Sequence, residues 1–223
     1  MGERRQLYLI RHGQTEWNLK GRLQGGKDSP LTALGRQQAS AVATSLGANP
    51  PSSILASPLG RAKKTAEIIA KALDIPVTED ERLGEIRFGA AEGMSWCEIN
   101  NRWPELMTRR EQDKWHVGMP DGENYQDADG RIAPFVTDLL RPKLTGNGEA
   151  PLAIVGHETM NMILLGRLLD LEPSTVTCLG QPNHVLYRLQ DRLVDHAHLG
   201  DDRLDWIPGM LQKRSDEILH VAA

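Results

Sequence analysis

The run Leu7-Tyr8-Leu9-Ile10-Arg11-His12-Gly13 decides the fold, because four apolar residues are followed directly by charged and polar ones. A short, continuous apolar run is typical of a strand buried on both faces of a parallel sheet. The pattern recurs at Ile54-Leu55-Ala56 and most strongly at Leu152-Ala153-Ile154-Val155, which Gly156-His157 ends. These three runs predict neighbouring strands of a mostly parallel sheet.

Helical patterns separate the predicted strands. Thr32 is placed to cap a helix that extends to Leu46, and Ser57-Pro58 predicts a second helix with proline in its first position. Further helices are expected over 123–141 and from about Thr159 to Leu169. The alternation predicts an α/β fold, a three-layer αβα sandwich with a mostly parallel central sheet and a helical flap insert.

The chain reads as a single domain over 1–223, without an internal repeat or a domain-sized linker. Its core is expected at about 5–200, with a flap insert at about 95–122 and a polar C-terminal tail at 200–223. Residues 13–30 read as a long loop, and Gly146-Asn147-Gly148 as a turn. A late hairpin is predicted from 185–187 to 193–194, around Gln190-Asp191.

The amino-acid composition argues against several classes of function. With 26 basic and 30 acidic residues, the net charge is −4, which argues against a general nucleic-acid surface. Cys97 and Cys178 are too few for a disulfide framework or a cysteine-rich zinc site, so a cytoplasmic location is expected. The charged N-terminus and the absence of a long apolar window predict no signal peptide and no membrane partner. The oligomeric state is left open, with a homodimer as one alternative.

Polar side chains follow all three predicted strands. Because parallel sheets bind ligands at the carboxyl ends of their strands, His12, Arg61 and His157 are expected at one edge. A neutral imidazole is a good nucleophile, and an adjacent arginine such as Arg11 can bind phosphoryl oxygens. Taken alone, the triplet Arg11-His12-Gly13 has a structural explanation at least as good as a catalytic one.

Longer motifs strengthen the catalytic interpretation. The chain resembles the histidine phosphatase superfamily, the phosphoglycerate mutase-like group, over roughly residues 7–200. The motifs that carry this resemblance, in the family's order, are Arg11-His12-Gly13-Gln14-Thr15-Glu16-Trp17-Asn18, Gly21-Arg22-Leu23-Gln24-Gly25, Asp28-Ser29-Pro30-Leu31-Thr32, Ser57-Pro58-Leu59-Gly60-Arg61-Ala62, Leu83-Gly84-Glu85-Ile86-Arg87-Phe88-Gly89, Gly122-Glu123 and Val155-Gly156-His157.

The resemblance implies roles for the catalytic residues. His12 would attack phosphorus and become phosphohistidine, while Arg11, Arg61 and His157 would surround the phosphoryl oxygens. Glu85 would protonate the leaving oxygen and then deprotonate the attacking water. No metal or cofactor is expected, because the arginines supply the positive charge.

Substrate-binding residues are expected at Asn18, Gln24 and Gly25, although Asn18 and Gln24 also suit turns. A second explanation also remains for Glu85, which can pair with Arg82 or Arg87.

Other residues carry an alternative interpretation. His196 and His198 would share a face of a strand near His184, but no obvious third ligand makes surface or core-edge histidines the better explanation. Arg109, Arg110 and Lys114 are most simply a solvated helical face, with contact between one of them and an anionic substrate tail as the alternative. The flap tryptophans are expected to be packing residues rather than a substrate cage: Trp96, Trp103 and Trp115.

Two departures from the family pattern are visible. Glu158 follows the second histidine, where a small or neutral residue is usual, and we expect it to point away from the pocket at the helix start. Asn124 replaces a usual serine, with little expected effect.

The preferred function is a metal-independent phosphomonoesterase acting on a small phosphorylated metabolite, because the chain is short and its acid loop lacks the mutase pattern. A cofactor-dependent phosphoglycerate mutase is the alternative. A non-catalytic phospho-ligand binding module is a minor one.

Overall fold

A seven-stranded sheet forms the centre of the protein, for which a computed structural model describes residues 5–139, 150–200, 204–213 and 215–219, the last as backbone only. The strand order is β3-β2-β4-β1-β5-β6-β7; the first four strands are parallel and the last three antiparallel. The strands are β1 (Leu7–Arg11), β2 (Ser53–Ala56), β3 (Val77–Glu79), β4 (Leu152–Gly156), β5 (Val185–Gln190), β6 (Leu193–His198) and β7 (Ile207–Pro208).

The three strands predicted from apolar runs are adjacent, in the order β2-β4-β1. β1 and β4 pair in register from Leu7 with Leu152 to Arg11 with Gly156, so both strands end at the same edge. Within β1, Leu9 packs into the core cluster on one face of the sheet and Ile10 into the cluster on the other. Burial of such a side chain contributes about 1.5–3 kcal/mol to folding.

Helices cover both faces of the sheet, which confirms the sandwich. One face packs against α2 and α3, and the other against α6 and α7. Thr32 caps α2 as predicted, because its side chain accepts the Gly35 N–H. The helices are α1 (Glu16–Leu19), α2 (Ala33–Leu46), α3 (Gly60–Leu73), α4 (Trp96–Arg102), α5 (Pro104–Gln112), α6 (Tyr125–Leu139), α7 (Glu158–Leu169) and α8 (Pro173–Cys178).

Two predicted boundaries near the site are wrong. α3 begins at Gly60 with Leu59 as its cap, so Pro58 precedes the helix. The Ser57 hydroxyl accepts the Leu59 N–H, which makes residues 57–59 a turn before the helix. The predicted loop over 13–30 contains α1, because Thr15 and Asn18 form a reciprocal capping box around its first turn.

The flap is helical, as predicted, and consists of α4 and α5. The C-terminal segment differs from the polar tail expected, since it contains β7 and pairs β8 (Met210–Gln212) with β9 (Ser215–Leu219). Met210 is fully buried, but its apolar stretch is too short to give a strand signal. The predicted hairpin is present, with Asp191 and Arg192 at its turn in left-handed backbone conformations.

The predicted turn at 146–148 lies outside the described residues. Among the helices that are described, none has the length and apolar character of a membrane span.

Candidate active site

A cleft of about 580 Å³ opens at the carboxyl ends of the parallel strands. It is lined by Arg11 at the end of β1 and His12 directly after it, by Arg61 in α3 after β2, and by Thr159 in α7 after β4. His157 lies directly beneath, fully buried, with its ring centroid 5.2 Å from that of His12. The strand-end groups predicted from the sequence are therefore together at one edge.

His12 is held with one ring nitrogen toward the protein. Its Nδ1 lies 2.8 Å from the Gly13 carbonyl oxygen, which only accepts hydrogen bonds, so we assign the ring proton to Nδ1 and the lone pair to Nε2. Burial, and then the charges of Arg61 and Arg11, lower the pKa of His12 well below its ordinary value. At neutral pH the imidazole is uncharged, as a nucleophile requires.

Arg61 is a buried cation with every nitrogen in use. Its Nε lies 3.2 Å from His12 Nε2, and its Nη2 donates to the Gly25 carbonyl at 2.8 Å. Its Nη1 donates to the Lys27 carbonyl at 2.7 Å and to Asp28 at 3.0 Å. These bonds fix the guanidinium beside His12, so Arg61 is not a solvated surface side chain.

Arg11 is anchored at one end of its guanidinium. Its Nη1 donates to the Gln181 carbonyl at 2.8 Å and lies 3.0 Å from a carboxylate oxygen of Glu158. Its Nε is buried and has no hydrogen-bond partner within the described residues. The free nitrogen belongs to a side chain that lines the cleft, so Arg11 has a donor available for a ligand.

His157 has the complementary arrangement. Its Nε2 lies 2.8 Å from the Ser57 hydroxyl, while Nδ1 is buried without a partner in the described chain. Burial, then Arg61 and His12, lower the pKa of His157 well below its ordinary value. Both histidines are therefore neutral before a ligand binds.

Glu85 lies at the beginning of α7. One carboxylate oxygen accepts the Ile86 N–H at 2.9 Å and the Met160 N–H at 3.2 Å, and the other lies 3.4 Å from the Thr159 N. Burial raises the pKa of Glu85, although the Ile86 N–H and the charge of Arg61 act against this. A carboxyl group with a raised pKa is suited to donate a proton. The arginines of the predicted alternative pairing bind other carboxylates: Arg82 pairs with Asp80 and Asp138, and Arg87 pairs with Glu123.

The predicted substrate-binding residues all line the cleft. Asn18 uses its Oδ1 in the capping box with Thr15, and its Nδ2 has no hydrogen bond within the described residues. Gln24 is buried, with Oε1 lacking a partner there. Gly25 adopts a left-handed φ of 58°, and an added Cβ would overlap a carboxylate oxygen of Glu92.

Several cleft residues that bear charge or an aromatic ring were not assigned to the site from the sequence, and Arg110, Trp96 and Lys213 are among them. Arg110 was expected on a solvated face, but it is buried, donates to the Val117 carbonyl at 2.7 Å and lines the cleft. Trp96 also lines the cleft and is 48% exposed, unlike a packing residue. Lys213, from the segment expected to be a polar tail, reaches the same cleft and donates to the Tyr125 hydroxyl at 3.0 Å.

The expectation for Glu158 is wrong. It is the first residue of α7, as expected, but its side chain lines the cleft and contacts Arg11. The start of α7 lies at the cleft itself, and the positive guanidinium attracts the carboxylate inward.

Three histidines outside the site, His184, His196 and His198, have neighbouring rings. The ring centroid of His198 lies 5.5 Å from that of His184 and 5.6 Å from that of His196, whose Nδ1 bonds the Gly209 carbonyl. Across the described ranges, no three histidine, cysteine or acidic side chains are close enough to bind a metal ion together.

A neutral histidine between arginines, with a carboxyl group of raised pKa nearby, is the arrangement that phosphoryl transfer through a histidine nucleophile requires. A family model described as the histidine phosphatase superfamily (branch 1) matches residues 7–192. The chain belongs to this superfamily and is an enzyme of the histidine phosphatase type.

The similar proteins are named either as phosphoglycerate mutases or as phosphatases. A probable phosphoglycerate mutase GpmB from Salmonella arizonae is 35% identical over 98% of this chain and 95% of its own. A mycobacterial glucosyl-3-phosphoglycerate phosphatase, solved with VO3, is 29% identical, with a TM-score of 0.76 over 92% of this chain and 97% of that one. The alpha-ribazole phosphatase of Shigella flexneri is 24% identical, with a TM-score of 0.77 over 90% and 98%, and shares the fold.

Proposed function

We propose that the protein is a metal-independent phosphomonoesterase that hydrolyses a small phosphorylated metabolite through a phosphohistidine intermediate. One observation carries the proposal. In the described part of the chain, the buried side-chain nitrogens and oxygens without a partner are Arg11 Nε, Gln24 Oε1 and His157 Nδ1, all predicted site atoms. Buried polar atoms are rarely left unpaired, so their concentration here indicates a polar ligand.

In the first step, Arg61 Nε exchanges its hydrogen bond to His12 Nε2 for one to a phosphoryl oxygen, and the Nε2 lone pair attacks phosphorus and forms a P–N bond. The bond from phosphorus to the ester oxygen breaks, and its electron pair stays on that oxygen. The Glu85 carboxyl group gives the oxygen its proton, so the product leaves as an alcohol. Arg11 and Arg61 stabilise the negative charge on the phosphoryl oxygens, which is the main electrostatic requirement of phosphoryl transfer.

In the second step, water attacks the phosphohistidine. The Glu85 carboxylate accepts a proton from this water as the new P–O bond forms. The P–N bond breaks, its electron pair returns to Nε2, and inorganic phosphate leaves. Both His12 and Glu85 are then restored to their starting protonation states.

The cleft supports an anionic small-molecule substrate. Its lining has six cationic side chains and three carboxylates, although the chain as a whole carries a charge of −4. The cations are Arg11, Arg22, Arg61, Arg110, Lys114 and Lys213, and the carboxylates are Glu85, Glu111 and Glu158.

We also propose that residues 1–223 form a single domain and that its partner is a small phosphorylated metabolite rather than a nucleic acid or a membrane. The proposed compartment is the cytoplasm, because Cys97 and Cys178 are both free.

Phosphate release from a panel of phosphorylated metabolites in EDTA tests the proposal. The wild type should turn over, and His12→Ala should abolish release. His116→Ala is the matched control, because this exposed histidine pairs with Asp113 outside the cleft lining and should leave the rate unchanged. Turnover by His12→Ala at the wild-type rate, or phosphate binding without any turnover by the wild type, would contradict the hydrolase.

A phosphoglycerate mutase is the second candidate, favoured by the names of the GpmB relatives. It predicts interconversion of 3- and 2-phosphoglycerate that depends on a bisphosphate primer. The same preparation assayed with and without the primer separates the two candidates, because a phosphatase releases phosphate in either case.

A further inference from the structure

A closed ring of contacts joins Arg11, Glu158 and the main chain of Gln181. Arg11 Nη1 donates to the Gln181 carbonyl oxygen at 2.8 Å and lies 3.0 Å from Glu158 Oε2. The other carboxylate oxygen of Glu158 lies 3.4 Å from the Gln181 backbone N. The guanidinium is therefore held at one nitrogen by two acceptors, each of which is also tied to the other.

The ring is fixed to the core. The fully buried side chain of Gln181 donates to the carbonyls of Leu9 in β1 and Val185 in β5, at 2.8 and 3.2 Å. Asn161 in α7 donates to Gln181 Oε1 at 2.8 Å. Glu158 thus contacts Arg11 from a rigid support, and not as a mobile surface carboxylate.

The ring occupies Nη1 of Arg11 and leaves Nε for a ligand. Its Nε is buried without a partner in the described residues, and its charge acts on His12, His157 and Glu85, so it lies at the centre of the site. Burial raises the pKa of Glu158, but the charges of Arg11 and Lys213 and the Gln181 N–H together bring it below its ordinary value, so Glu158 remains ionised.

We propose that Glu158 is a positioning residue that holds Arg11 by its Nη1, so that the Nε of Arg11 is directed at the phosphoryl group. This inference rests on the proposed function, in which Arg11 binds a phosphoryl oxygen. It assigns a role to the residue that departs from the family pattern. In the alternative, Glu158 does not position Arg11, and its negative charge only repels an anionic substrate and weakens its binding.

A double-mutant cycle tests the proposal, because two residues that act as a unit give non-additive effects. We expect Glu158→Ala to lower kcat/KM for p-nitrophenyl phosphate by about tenfold and to weaken inhibition by vanadate by a similar factor. In an Arg11→Ala background the same change should alter kcat/KM by less than about twofold. Glu158→Gln should recover most of the activity, since its amide oxygen still accepts from Arg11.

The control is Glu67→Ala, which removes an exposed carboxylate paired with Lys64 on α3 and should leave kcat/KM unchanged. Melting temperatures show whether each variant is folded, and Glu158→Gln keeps the test valid if alanine impairs folding. Faster turnover with tighter vanadate binding in Glu158→Ala would overturn the proposal in favour of repulsion. An equal loss with and without Arg11 would also overturn it, because Glu158 would then act independently of Arg11. An inactive wild type would instead refute the proposed function.

Discussion

Glu85→Gln is the substitution that separates acid catalysis from phosphoryl binding. Glutamine is nearly isosteric, and its Oε1 can still accept the Ile86 N–H at 2.9 Å and the Met160 N–H at 3.2 Å. Only the weaker contact, 3.4 Å from the Thr159 N, would face an amide NH2 group instead. The side chain should therefore remain in place while the transferable proton is lost.

The expected loss depends on the leaving group. General acid catalysis contributes about 10²–10⁴-fold, or about 2.7–5.5 kcal/mol of barrier, when the leaving oxygen needs a proton. An alkyl phosphate releases an alkoxide and should lose this full factor in Glu85→Gln. A p-nitrophenyl ester releases a stable phenolate and should lose less than about tenfold in the first step.

The pH dependence has a defined sign. Because burial raises the pKa of Glu85, its acid form persists above the usual carboxyl range, and kcat/KM for an alkyl ester should fall as pH rises through that pKa. Glu85→Gln should remove this dependence. The assay is the pH profile of phosphate release from an alkyl and a nitrophenyl ester, with single-turnover phosphoenzyme formation as the readout of the first step. An equal loss on both esters would refute the assignment of Glu85 as the acid.

Three further changes test the support of the site. Ser57→Ala removes the hydroxyl that contacts His157 Nε2 and should lower kcat/KM by about tenfold without shifting the melting temperature by more than a few degrees. Burial, then the charge of Arg61, lowers the pKa of His12 and His157 in the folded state. The free energy of unfolding should therefore be highest above about pH 6.5, the unfolded-state pKa, and should decrease at lower pH, where the unfolded chain takes up protons. Urea unfolding of His12→Gln should show a smaller decrease on acidification. Gly25→Ala should destabilise by about 1–3 kcal/mol in the same unfolding assay, because of its left-handed φ and its close approach to a carboxylate.

The sequence is sufficient for the parallel centre of the fold because three apolar runs each end in a chemically distinctive residue. Parallel pairing then brings His12 and His157 together whatever the surrounding loops do. The tail could not be predicted in this way. Met210 is buried and Lys213 lines the cleft, but a strand of three residues leaves no periodic signal.

Charged residues show why the remaining parts of the site require coordinates. Arg110 has the sequence context of a solvated helix, yet the Val117 carbonyl and the Phe88 ring enclose it. The sequence around an arginine does not distinguish a buried side chain from a solvated one. Its long apolar stem can pack against the protein while its guanidinium donates either to water or to a carbonyl oxygen.

The side chain of Glu158 lies where its sequence context alone would not place it. The sequence shows that a carboxylate stands beside the second histidine, and elementary electrostatics predicts that such a charge avoids a phosphate site. The structure shows that its partner is not solvent but Arg11, held through the main chain of Gln181 from a distant segment. A carboxylate can stand inside a phosphoryl-binding site when a neighbouring arginine neutralises it through one nitrogen and offers another nitrogen to the substrate. The double-mutant cycle measures this coupling between Glu158 and Arg11.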